Sequence, residues 1–258
     1  MKSLILAAAL AATFTSTGSA RDMPDERKPT IVLVHGAFAD SSSWNGVVSI
    51  LRERGYAVTA AANPLRGVSS DAKYVDTVIQ SIDGPVVLVG HSYGGAVISA
   101  ADNRAGKIKA LVFVAAFEPE VGENSLDLTS KFPGSTLSAA LAAPVSLPGG
   151  AHDLYIKQDR FPEQFAADVP KAQAAQMAVA QRPIADAALS EKSQVAAWKN
   201  IPSWAVYGTA DRNIPPAAME FMAQRAKSKA VVVDGASHVL MISHPDKVAD
   251  VIVQAAGG

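Results

Sequence analysis

The chain has 258 residues, with 23 Lys and Arg against 24 Asp and Glu and a formal charge of −1 at pH 7. The two signs are interspersed, so no basic stripe exists to neutralise a phosphate backbone, which argues against nucleic acid as a partner. Cysteine is absent, which removes disulfides and thiolate metal ligands, and the length suits one α/β unit large enough for a sizeable core.

Met1-Lys2 is a short positive start, Leu4 to Ala12 an apolar run, and Gly18-Ser19-Ala20 a set of small residues ahead of Arg21-Asp22. That order predicts a secretory signal peptide over residues 1–20, cleaved after Ala20. The apolar run is too short and wrongly flanked to span a bilayer, so the expectation is a secreted or periplasmic protein without a stable membrane anchor. Charged, proline-bearing residues 21–29 form a flexible lead-in.

From Thr30 the pattern alternates between strand and helix. Thr30–Val34 reads as a strand, and His35-Gly36-Ala37-Phe38 turns off its end. A helix over Trp44–Arg54 ends at Gly55, and Val58–Ala61 is a second strand. Asp71–Ile82 is a helix with Val75, Val78 and Ile79 on one face. Pro85–Val89 is a short buried strand, Ala96–Ala101 a helix, and Lys109–Val114 another strand. Ser203–Tyr207 and Ala230–Val233 complete the strands, and Pro245–Ala255 closes the chain as an amphipathic helix. The alternation predicts an α/β fold with a mostly parallel sheet and helices on both faces.

Between Pro85–Val89 and the helix after it lies Gly90-His91-Ser92-Tyr93-Gly94. A strand that turns abruptly into a helix strains its central residue, and side chains two positions either side would collide, so glycine suits both places. This is the nucleophile elbow of a serine hydrolase, with the Ser92 hydroxyl presented at the carboxyl edge of the sheet. Such an elbow needs a base and an orienting acid further along the chain. Asp211 follows the Ser203–Tyr207 strand and His238 follows Ala230–Val233, so both fall on loops at the edge that carries Ser92. Neutral His238 can take the Ser92 proton, and ionised Asp211 can hold its tautomer. The loop after the first strand and the residue after the nucleophile supply oxyanion N–H groups in this architecture, here Ala37 and Tyr93.

Each position has a rival. Asp211 also suits a helix cap ahead of Ile214-Pro215-Pro216, and Asp234 is a second candidate acid, four positions before His238. His244 competes with His238 but precedes Pro245 at the start of the last helix. His91 points away from the nucleophile in an elbow and reads as a packed core histidine. His152 reads as a solvated loop residue. No His, Asp or Glu cluster has metal-ligand spacing, and neither a phosphate loop nor a dinucleotide fingerprint is present.

Val34-His35-Gly36-Ala37 with Trp44 a turn later, then Val89-Gly90-His91-Ser92-Tyr93-Gly94-Gly95, then Ala115-Ala116-Phe117-Glu118-Pro119, resembles the alpha/beta-hydrolase superfamily. Within it the chain is similar to the branch of plant methylesterases and hydroxynitrile lyases and their bacterial relatives. The resemblance runs from about Thr30 to Val253. It implies a triad of Ser92, Asp211 and His238 with oxyanion N–H groups from Ala37 and Tyr93. Hydroxynitrile lyases of this branch carry threonine directly after the motif histidine and lysine directly after the catalytic histidine. Gly36 and Val239 stand there instead, which favours an esterase over cyanohydrin cleavage.

From Phe117 to Trp198 prolines break the pattern into short pieces, with a helix over Lys171–Gln181. An insertion here, about residues 118–198 of a hydrolase domain over 30–258, is expected to cover the nucleophile as a cap. Leu137, Leu141, Leu154, Tyr155, Phe161, Phe165 and Met177 supply its apolar stock, a minority of them facing substrate. Arg212 is expected to face solvent or to pack on the cap hinge. The sequence thus predicts a carboxylic-ester hydrolase for small, uncharged or weakly polar esters, with no cofactor and no metal. A lactonase or another acyl-cleaving hydrolase is the alternative, followed by a cofactor-free lyase or a binding protein on the same scaffold.

Overall fold

A computed structural model describes residues 27–258. The expected signal peptide and most of the lead-in lie outside the described residues. Among those described, no helix is long and apolar enough to cross a membrane.

Nine strands occur in this region: β1 (Thr30–Val34), β2 (Val58–Ala61), β3 (Val86–His91), β4 (Ile108–Val114), β5 (Val145–Ser146), β6 (His152–Leu154), β7 (Ile184–Ala185), β8 (Ser203–Gly208) and β9 (Lys229–Val233). Six form one sheet in the order β2-β1-β3-β4-β8-β9, and every pairing in it is parallel. The central strands are buried, mostly apolar runs interrupted only at half-buried Thr30 and exposed Lys109, as a parallel sheet covered on both faces demands. Helices Asn45–Glu53 and Pro245–Ala255 pack together against the sheet, as do Val68–Gln80 and Tyr93–Ser99.

Register sets the carboxyl ends of these strands level. Val34 pairs with Gly90, His91 with Val114, Val114 with Val206, and Gly208 with Val233. The loops carrying Ala37, Ser92, Asp211 and His238 therefore all leave one edge of the sheet, which is where open α/β sheets build their sites.

Local differences from the sequence reading have local causes. β3 continues through Gly90 and His91, and the next helix begins at Tyr93 rather than Ala96 and ends at Ser99. The elbow consumes no loop: its one irregular residue is Ser92. The helix expected from Trp44 is a 3-10 turn over Ser41–Trp44 followed by α-helix Asn45–Glu53. Asp40 caps that turn, its carboxylate accepting the Ser42 N–H at 2.7 Å. Helix Pro216–Ala226 gave no sequence signal because Pro215-Pro216 reads as a breaker, although proline is well suited to the first helical position.

The segment between β4 and β8 forms short helices and a small antiparallel sheet, β5-β6-β7. Both its ends are tied to one place. Trp198 Nε1 donates to the Pro119 carbonyl at 2.9 Å, and the Arg225 guanidinium packs on the Trp198 and Phe221 rings. Arg225 also donates to Glu123 and to the Glu118 carbonyl, each at 2.8 Å. The Glu118 carboxyl beneath is 2 % exposed and accepts from Ser228 Oγ at 2.7 Å. Burial pushes it from 4.5 up to about 8, against the opposing pull of the Ser228 hydroxyl and the Arg225 cation.

The folded protein thus holds a proton on Glu118 that the unfolded chain releases. Its contribution to stability is complete below about 4.5 and is lost as the pH rises to about 8. Glu118→Gln, which keeps an acceptor for Ser228, is expected to remove that slope. Thermal denaturation across this window checks it: the wild-type Tm should fall towards pH 8 relative to the variant. Parallel curves would contradict the assignment.

Candidate active site

Ser92 sits at φ 53° and ψ −122°, a left-handed region that costs a non-glycine residue roughly 1–3 kcal/mol. Packing on both sides enforces it. A Cβ on Gly90 would lie 2.5 Å from the Gly94 carbonyl oxygen, and one on Gly94 2.5 Å from that of Val34. The Ser92 N–H donates to Val114 O at 3.2 Å, while its own carbonyl accepts from Gly95 N at 2.9 Å and Phe117 N at 3.2 Å. The turn is therefore pinned to β1, to β4 and to the start of its own helix.

His238 and Asp211 meet on the neighbouring loops. The ring Nδ1–H donates to Asp211 Oδ2 at 2.6 Å, with both side chains buried. Asp211 Oδ1 accepts the backbone N–H groups of Asn213 at 2.7 Å and Ile214 at 3.0 Å. These donors and the ring N–H hold the carboxylate in one orientation. Donation from Nδ1 leaves Nε2 as the acceptor nitrogen of the neutral ring, the tautomer a general base requires. Ser92 and His238 line the same cavity. Among the described residues no hydrogen bond joins the Ser92 hydroxyl to the ring, a contact that commonly tightens only when substrate binds.

The rivals fall elsewhere. Asp234 is exposed and accepts from Thr209 Oγ1 at 2.8 Å. His244 directly precedes the last helix, 3.5 Å from Asp168. His152 opens strand β6, half-buried and 3.2 Å from Asp186, so the loop assignment is corrected: β6 pairs with both β5 and β7, which the two-residue lengths of those partners hid. His91 is fully buried, and burial drives its pKa well below the ordinary value. Its Nε2–H donates to the His238 carbonyl at 3.1 Å and its ring packs 4.8 Å from that of His238. It supports the His238 loop from behind.

The cavity encloses about 550 Å³ and is lined by Ser92, His238, Ala37 and Tyr93. Ala37 is buried, and Tyr93 opens its helix, so its N–H is one of the amides left unpaired at a helix start. The Tyr93 hydroxyl donates to buried Asp71 at 2.9 Å, which fixes the residue that follows Ser92. Of the expected apolar stock, Leu137, Leu141, Leu154 and Phe165 line the cavity. Phe161 is fully buried in the core beneath, and Tyr155 and Met177 border other hollows. Phe38, Phe117, Leu126, Phe132, Leu189 and Ile214 add to the apolar wall and were not singled out for it in the sequence, since only folding brings such separate turns together. Among the described residues no Lys or Arg lines the cavity. Arg212 turns away to pair with Glu163 at 2.8 Å on the segment between β4 and β8. Among the described residues no group of His, Asp or Glu is placed to hold a metal ion.

The sequence profile of the alpha/beta hydrolase family matches residues 31–251. The chain belongs to that family. It is 27% identical over 247 residues to the alpha-hydroxynitrile lyase of Arabidopsis thaliana, an alignment covering 87% of this chain and 96% of that protein. Methylesterase 2 of the same plant is 32% identical over 126 residues, and that match spans 43% of this chain and 48% of the relative. The crystal structure of polyneuridine aldehyde esterase superposes with a TM-score of 0.76 at 18% identity, over 88% of this chain and 99% of that one. The alpha/beta-hydrolase fold and the plant methylesterase and hydroxynitrile lyase branch expected from the motifs are both found.

Because Asp211 hydrogen-bonds the His238 ring and Asp234 bonds Thr209 instead, Asp211→Asn is expected to lower kcat by roughly 10⁴-fold through the wrong tautomer. Asp234→Asn, which loses one exposed contact, should stay near wild type. Parallel steady-state assays check this, and the reverse ranking would move the acid to Asp234.

Proposed function

We propose that this alpha/beta hydrolase is a serine esterase acting on small, uncharged carboxylic esters through Ser92, His238 and Asp211. The observation that carries the reading is the buried 2.6 Å His238–Asp211 pair, whose histidine lines the cavity that also holds strained Ser92. Its esterase-type relatives support the same class of reaction.

In this reading, Ser92 Oγ attacks the ester carbonyl as its proton passes to His238 Nε2. The carbonyl oxygen gains charge and is held by the Ala37 and Tyr93 N–H groups. Collapse breaks the bond to the alcohol oxygen, which takes the proton from the imidazolium, whose charge Asp211 stabilises. Water then attacks the acyl-enzyme, giving its proton to His238. The second collapse frees the acid and returns the proton to Ser92.

The segment over about 118–198 serves as the cap. Its phenylalanines and leucines give the cavity an apolar wall, and the absence of Lys and Arg from that wall disfavours anionic substrates. Esters with a few apolar acyl carbons gain about 0.8 kcal/mol per buried methylene. Gly36 bears on the lyase alternative. A Cβ there would lie 2.6 Å from His91 O and 2.7 Å from Ser92 Cβ, so this backbone has no room for the lyases' threonine.

p-Nitrophenyl esters of graded chain length, assayed beside lactones, dianionic esters and mandelonitrile, test the proposal. Neutral esters should be hydrolysed without added metal, and Ser92→Ala should lower kcat by on the order of 10⁴–10⁶-fold. Ser92-dependent cyanide release above the spontaneous rate, or full activity in Ser92→Ala, would contradict it. Export with cleavage after Ala20 belongs to the same proposal. N-terminal sequencing of periplasmic or secreted protein should begin at Arg21, and intact Met1 on active cytoplasmic protein would overturn it.

A further inference from the structure

Ser237, immediately before His238, is held by the segment that covers the site. The helix Phe161–Phe165 lies over the cavity, and the Phe165 ring packs 5.1 Å from the His238 imidazole. Three residues further on, Asp168 turns its carboxylate onto the His238 loop. One oxygen accepts the Ser237 hydroxyl and the other the Ser237 N–H at 3.1 Å. Ser237 is buried, so these two donors have no water to fall back on. The other groups facing the carboxylate are Ser243, which ends the short helix Leu240–Ser243, and His244 just beyond it, at 3.5 Å. Asp168 thus gathers both sides of the His238 turn.

From opposite directions, Asp211 fixes ring nitrogen Nδ1 and His91 fixes the His238 carbonyl. Neither constrains the chain entering the turn. The Ala210 N–H, donating to Ala236 O at 3.1 Å, and Asp168, through Ser237, hold the chain there, and Asp168 shares with Phe165 the segment between β4 and β8.

We propose that Asp168 is a positioning residue for the hydrolytic reaction, a carboxylate on the cap that fixes the His238 turn through Ser237 and so aims the imidazole at Ser92. The inference rests on the esterase reading above. It makes the seating of the cap a determinant of chemistry as well as of substrate binding.

The test uses the full protein with Asp168→Ala, Asp168→Asn, Ser237→Ala and the double variant Asp168→Ala/Ser237→Ala, beside His238→Ala as control. Misplacing a catalytic group by about an ångström can cost on the order of 10²-fold, so Asp168→Ala is expected to lower kcat by roughly 10–100-fold. KM should change less than kcat. The rate at which a small fluorophosphonate modifies Ser92 should fall in parallel, because that reaction needs the aimed base but little of the acyl pocket. Asp168→Asn, which keeps one acceptor, should recover part of the loss. The double variant should be no worse than Asp168→Ala, since residues acting through one contact are not additive. Should Asp168→Ala fail to fold, Ser237→Ala, which removes only a hydroxyl, carries the measurement.

Unchanged kcat and labelling rate in the folded single variants would overturn the role, as would losses confined to KM or fully additive losses in the double variant. If His238→Ala itself retains activity, the esterase reading fails and takes this inference with it. An inactive His238→Ala beside fully active Asp168→Ala defeats the inference alone.

Discussion

A strand that becomes a helix with no loop between them must pass its chain through one residue in a conformation that side chains resist. Ser92 is that residue here, and the sheet, the glycines and the neighbouring strands are arranged so that the turn has no other way to go. Any Cβ at Gly90 or Gly94 would strike backbone oxygen, which cannot yield as a flexible side chain can. The roughly 1–3 kcal/mol stored at such a residue persists because the hydrogen bonds to Val114, Gly95 and Phe117 over-determine it. Its consequence is a serine on the cavity wall beside a helix start, at the level where four neighbouring strands also end.

Every other part of the site is placed relative to that turn. The in-register ends of β1, β8 and β9 deliver Ala37, Asp211 and His238 to the same edge. Two buried histidines, His35 and His91, are packed behind, and burial lowers the pKa of both. The segment between β4 and β8 closes the cavity with apolar rings and reaches the His238 turn through Phe165 and Asp168. Its own root is Glu118, whose carboxyl is buried and whose backbone carbonyl accepts from Arg225, which packs on Trp198.

What the sequence revealed and what it withheld follow the range of the interactions involved. Pro85–Val89 and Thr30–Val34 announce themselves as strands because burial on both faces writes an unbroken apolar run. The elbow was legible because its glycines stand two positions either side of Ser92, although one answers to the turn itself and the other to Val34 on β1. Asp211 and His238 were legible as strand-end loop residues, but choosing Asp211 over Asp234 needed the distance to the ring. Ser237 and Asp168 gave no signal at all. They are 69 residues apart and meet only because the covering segment folds back over the sheet. The same holds for Phe117, Phe132 and Ile214, whose place on the cavity wall depends on the path of proline-broken turns that carry no periodicity.

The claim on which the account depends is that Ser92 alone carries the reactive hydroxyl. Stoichiometric reaction with a fluorophosphonate, followed by proteolysis and mass spectrometry, measures this most directly. The account predicts one adduct per chain, located on Ser92 and blocked when an ester substrate occupies the cavity. An adduct on Ser41, Ser42, Ser43 or Ser237 in place of Ser92 would contradict it.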